Sequence, residues 1–175
     1  MMRRTLSPVL CTVTAVAFVA GVGWGLWEFL TVAPGTPIKA HVPGTDAWGV
    51  HVVLTAAAAA WVALGARAKR TGTMPWLVPP NPVGRRFAAQ WSALAPLTPS
   101  TFLRGIAAAL LGFVLLYSVW RGGAQITGAL DPRWTVNAWG GPGYLGALYC
   151  HYLDLALQIG VAMLLLRWIL PTPRR

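Results

Sequence analysis

His151, Asp154 and Gln158 stand at spacings of three and four within GYLGALYCHYLDLALQIGVAMLLLRWIL, residues 143–170, and Tyr144 lies seven residues before His151. At 3.6 residues per turn these four side chains share one stripe of a helix, with Leu, Ala and Val opposite. Imidazole next to carboxylate is the chemistry of proton transfer, metal ligation and ligand orientation. Three residues apart, His151 and Asp154 are close enough to bond and to fix the imidazole tautomer. A carboxylate at mid-membrane costs about 2.5–3.5 kcal/mol, so the stripe is expected to face other helices or a wet cavity.

Other segments supply partners. His51 lies about one turn inside the second apolar stretch, and Glu28 lies near the end of the first, one turn after Trp24. Arg121 closes a third apolar run and is positioned to pair with Glu28 or Asp154. The expected polar cluster is therefore Glu28, His51, Arg121, His151, Asp154 and Gln158, with His41 as a further member from a connecting loop.

Several chemistries fit this set. His51 and His151 are the minimum for a bis-His haem b, and with Asp154 they are a possible metal set. A carboxylate beside His is also a possible proton relay, but no ionisable residue continues it below Gln158 until Arg167. Acid–base work on a lipid at the interface would need a nucleophile or a metal-diphosphate motif, and neither accompanies the pair. Inter-helix hydrogen bonding, without any ligand, accounts for the same residues.

The elements that must position these groups are membrane spans. The chain has 175 residues, 56% hydrophobic and only 10% charged, where a soluble domain carries about 25% charged residues. A span needs about 20 mostly apolar residues. Four segments qualify: 6–30, 47–66, 102–120 and 143–170. The first begins with Arg3 and Arg4 like a signal peptide, but its hydrophobicity runs on through Trp27 and Leu30, which reads as a retained span. The expected fold class is all-α: one membrane domain, an integral bundle of four transmembrane helices.

Charge sets the expected orientation. With the N-terminus inside, eleven of the 14 Lys and Arg residues fall on the cytoplasmic side, and Lys39, Arg121 and Arg133 fall outside. All four acids, Glu28, Asp46, Asp131 and Asp154, fall in the outer half or beyond it. This positive-inside pattern puts both termini in the cytoplasm. It explains the net charge of +10 as topology and attraction to anionic lipid, so nucleic acid is not an expected partner. Arg outnumbers Lys and Ala is abundant, a usage that fits a bacterial chain in the cytoplasmic membrane.

The connections have distinct characters. Residues 31–46 form a Pro- and Gly-rich outer loop, and 121–142 a second outer loop whose Trp134 and Trp139 suit headgroup level. In the cytoplasmic connection 67–101, Phe87, Trp91 and Leu94 recur at helical spacing after Arg85 and Arg86, predicting a short interfacial amphipathic helix over 85–97. Gly21 and Gly25 form a small-xxx-small pair that permits close helix approach. Cys11 and Cys150 lie far apart in apolar runs, with no CxxC spacing. No internal repeat points to a repeat-built transporter. The expected function is a non-catalytic accessory or scaffold subunit of a membrane complex, meeting the lipid bilayer and a larger membrane protein or a second copy. The alternative is a cofactor-, metal- or lipid-binding membrane protein using the outer cluster.

Overall fold

The computed structural model describes residues 8–71 and 98–170. Its helices are α1 (Pro8–Thr31), α2 (Trp48–Thr71), α3 (Pro99–Gly128), the single-turn α4 (Pro132–Thr135) and α5 (Tyr144–Ile169). No strand occurs among the described residues. α1, α2, α3 and α5 are long and apolar enough to cross a membrane. The expected interfacial helix over 85–97, the segment around Trp76 and the terminal arginines lie outside the described residues.

Helix ends follow local chemistry. Thr98 caps α3: its Oγ1 accepts from the Thr101 amide at 3.2 Å, and Thr101 Oγ1 accepts from the Thr98 amide at 2.9 Å. Pro99 occupies the first turn, where its missing N–H leaves no helical bond unmade. Asp131 caps α4 through the Arg133 amide at 3.0 Å, again with proline next. Gly141, at φ 81°, makes the left-handed turn ahead of α5.

The long helices lie in the order α1, α3, α5, α2. α1 packs along α3 most extensively, α3 along α5, and α2 rests on α5. The α1–α3 seam is made by absent side chains. A Cβ on Gly21 would strike the Trp120 carbonyl, one on Gly25 the Ala124 carbonyl, and one on Gly123 the Phe18 carbonyl. The two backbones therefore touch, and Thr127 Oγ1 adds a hydrogen bond to Val22 O at 2.8 Å. On the other side of α3, Tyr152 donates to Gly122 O at 2.6 Å and Tyr144 to Ile126 O at 3.1 Å. A small core of Ala108, Leu166 and Leu170, flanked by Leu111 and Leu115, joins α3 and α5 at their opposite ends.

α3 corrects the expected boundary at Trp120. The helix continues to Gly128, so Arg121 sits inside it rather than at its end, and the first eight residues of the expected loop are helical. The sequence RGGAQITG reads as a breaker because isolated glycine disfavours helix. Here Gly123 and Ala124 are where α1 lies against the helix, and that packing outweighs propensity.

The connections 32–47 and 129–143 are stitched together. Ala47 N donates to Trp139 O at 2.8 Å, Val42 N to Asn137 Oδ1 at 2.9 Å, and His41 Nδ1 lies 2.7 Å from Val136 O. Gly140 crosses Gly146 in the first turn of α5 so closely that either Cβ would strike the other's carbonyl.

Candidate functional site

The site begins with His51, one turn into α2 and 1% exposed. Its Nδ1 lies 2.8 Å from Ala47 O, an acceptor, so Nδ1 carries a hydrogen. Its Nε2 lies 3.4 Å from Asp154 Oδ2 on α5. With Nδ1–H committed, a bond between Nε2 and the carboxyl requires one further proton, held by imidazolium facing carboxylate or by carboxylic acid facing neutral imidazole. Trp139 covers this pair, its ring centroid 5.7 Å from that of His51. The Ala47–Trp139 backbone bond holds that lid in place. Below, Trp48 stacks on Tyr149 at 5.9 Å, and Thr55 Oγ1 bonds both the Tyr149 hydroxyl and His51 O.

Asp154 also opens onto a cavity of about 430 Å³ between α3, α5 and the segment 134–139. Arg121 and Gln125 line it from α3, Trp134, Asn137 and Trp139 from the connection, and Cys150, His151 and Asp154 from α5. The Arg121 guanidinium lies over the Trp134 ring, 5.2 Å from its centroid. Gly128 makes that possible: a Cβ there would fall 2.7 Å from Trp134 Cε3. Beside it Arg133 and Asp131 pair twice over, Nη2 to Oδ2 at 2.7 Å and Nε to Oδ1 at 2.8 Å. Arg133's hydrogen bonds hold the Asp131 carboxyl below the usual carboxylate range against the opposing effect of burial.

The structure thus joins part of the expected cluster and disperses the rest. His51 and Asp154 bond, and Arg121, His151 and Asp154 share the cavity. The expected His151–Asp154 bond does not form; Asp154 turns to His51 on the neighbouring helix, and His151 Nε2 is buried without a hydrogen-bond partner among the described residues. Arg121 lies within ion-pair distance of neither Glu28 nor Asp154, because its guanidinium is drawn onto Trp134. Glu28 and Gln158 do not line the cavity; Glu28 Oε2 is buried elsewhere with no hydrogen-bond partner among the described residues, and Gln158 is exposed. His41 sits on the 32–47 connection beside Asp46, at 3.7 Å.

This geometry bears on the cofactor expectations. A bis-His haem needs two imidazole nitrogens facing each other across the ring, and His51 has both committed, to Ala47 and Asp154. Among the described residues no three His, Cys, Asp or Glu side chains converge closely enough to hold a metal ion. Gln125 and Asn137 were not among the expected residues. Gln125 was recoverable, since it stands four residues after Arg121 and so shares its face once the helix is known to continue. Nothing in the sequence marks Asn137.

A second, wholly different cavity of about 700 Å³ lies among α1, α3 and α5. Phe18, Val119, Leu155 and Ile159 give it apolar walls, and Cys11 reaches it from α1. The two cysteines are both free, Cys11 exposed and Cys150 buried.

Comparison with protein-family models, with curated proteins and with solved structures finds no match.

Proposed function

We propose that this chain is a four-span protein of the bacterial cytoplasmic membrane, with both termini inside, that works by recognition: it holds a small polar molecule or headgroup at its outer end. The observation that carries this reading is the 430 Å³ cavity where Arg121, Gln125, His151 and Asp154 converge between two tryptophans. Ligand sites are typically of about 300–1,000 Å³, with a few placed polar groups among aromatic walls. Membrane insertion is supported by four helices of spanning length and apolarity, and the orientation by the eleven-to-three split of basic residues. Catalysis is not part of the proposal, since the sequence holds no nucleophile or metal-diphosphate motif.

The test is native mass spectrometry after gentle detergent release. A bound small molecule is expected on the wild-type chain and absent from Ala138→Leu, which narrows the cavity from the connecting loop. A bare wild-type mass, or equal occupancy in both, would count against the reading.

A second reading, an accessory or scaffold subunit, is supported by the exposed helix faces. In the most apolar stretch of each spanning helix no more than 17% of residues are buried. A larger membrane protein or a second copy fits those faces as well as lipid does. Co-purification of a stoichiometric membrane partner from mild detergent would favour it, and a clean monomer in native lipid would not.

A further inference from the structure

Within the outer cavity, Arg121 is a fixed positive charge without a carboxylate. Asp131 is taken by Arg133, Asp46 faces His41, Asp154 bonds His51, and Glu28 does not line the cavity. The guanidinium carbon lies over the Trp134 ring, 5.2 Å from its centroid, and none of its N–H donors bonds a described residue. Gln125, one turn along the same face, is 6% exposed, and its amide makes no hydrogen bond with any described residue. A guanidinium and the side-chain amide of a buried residue share this cavity, both with unused donors, and form half of a recognition site. The missing half is an acceptor bearing negative charge. A guanidinium presents a planar fork that matches carboxylate and phosphate oxygens.

Resting on the reading of this cavity as a ligand site, we propose that Arg121 and Gln125 form an oxyanion subsite, which takes the phosphate or carboxylate group of the ligand. Trp134 and Trp139 wall the remainder, and Asp154 stands in the same cavity to accept from a hydroxyl or amine on the same molecule. The shared chemistry is one anionic oxygen group; its source is either a lipid headgroup or a free anion.

The experiment uses the full chain in maltoside micelles, which contain no phosphate. Unfolding midpoints are followed with four probes: short-chain phosphatidylglycerol, short-chain diacylglycerol, inorganic phosphate and acetate. A ligand that binds only the folded state raises the midpoint with its concentration. The expected result is saturable stabilisation by phosphatidylglycerol or by the free anions, at least about tenfold tighter than by diacylglycerol. The probe that binds identifies the source. Arg121→Gln and Gln125→Leu should each weaken binding by about tenfold or more, and Arg121→Lys should restore part of it by returning the charge without the fork. Arg121→Lys and Gln125→Leu decide the matter where Arg121→Gln does not fold. Binding of diacylglycerol alone, lost in Ala138→Leu, would overturn the oxyanion assignment and leave the cavity reading standing. No binding by any probe would remove both, and anion binding indifferent to Arg121 and Gln125 would overturn the assignment outright.

Discussion

At the scale of single residues, Asp154 has the most to do. It bonds His51 across helices and also faces the 430 Å³ cavity. Asp154→Asn removes the charge and keeps the shape, so His51, at 1% exposure, loses the group that shares its proton. The expected cost is about 1–2 kcal/mol, read as a lower denaturation midpoint in mixed micelles, with α2 loosening before α3. Unchanged stability would mean the pair is incidental. Asp131 makes a prediction about acid. Its folded value is depressed, chiefly by Arg133 hydrogen bonds. Its stabilising effect is therefore complete above the unfolded value, about 3.9, and is lost as pH falls through the lower folded value. Arg133→Gln should move that loss to higher pH, and amide exchange at Ala47, which donates to Trp139 O, should report it. The sequence shows that Asp154 needs a partner, because a lone carboxylate in an apolar helix is costly. It does not show which partner, because His151 three residues away and His51 about 100 positions earlier satisfy the same requirement, and only helix arrangement separates them.

At the scale of elements, the α1–α3 seam sets the frame that holds Arg121 and Gln125. Its backbones meet at Gly21, Gly25 and Gly123, leaving no room for a methyl group. Gly25→Ile should cost about 3 kcal/mol or more, by the overpacking expected of a closely fitted contact. Disulfide trapping between cysteines placed in α1 and α3 should fail in that variant, while trapping between α2 and α5 persists. Gly23 is the control: a Cβ there meets nothing within 4 Å, so Gly23→Ala should be near neutral or stabilising. The helices themselves were legible from apolar length alone, and the Gly21/Gly25 pair was legible as a close-approach motif. The end of α3 was not. In RGGAQITG the same residues that break a solitary helix are those that admit a neighbour, and composition cannot tell the two uses apart. Gln158 was misplaced for a related reason: helical periodicity puts it on the stripe, but the cavity does not extend down to it.

At the scale of the whole molecule, charge and apolarity are arranged end to end. Glu28 and Asp154 lie towards the ends of α1 and α5 that meet the 32–47 and 129–143 connections, Asp46 and Asp131 lie in those connections, and Arg67, Arg70, Arg104 and Arg167 lie at the other end. The topology proposed above predicts a labelling pattern. In a chain carrying Cys11→Ser and Cys150→Ala, a cysteine at Thr36 should react with an impermeant maleimide on intact cells. One at Thr71 should react only after the membrane is opened. The reverse pattern would invert the proposed orientation and place the polar cavity on the inner face.

The interleaved order of the helices has a consequence for biogenesis. α1 packs on α3, and α2 packs on α5, so neither of the first two spans finds its mate in the one made next. In the membrane topology proposed above, while the ribosome is still making residues beyond 71, both would wait in the translocon or in lipid, α1 with a bare glycine groove and α2 with His51 lacking its carboxylate. A nascent chain arrested before α3 emerges should crosslink to insertion machinery through both helices. Release of α1 should come with α3, and release of α2 only with α5.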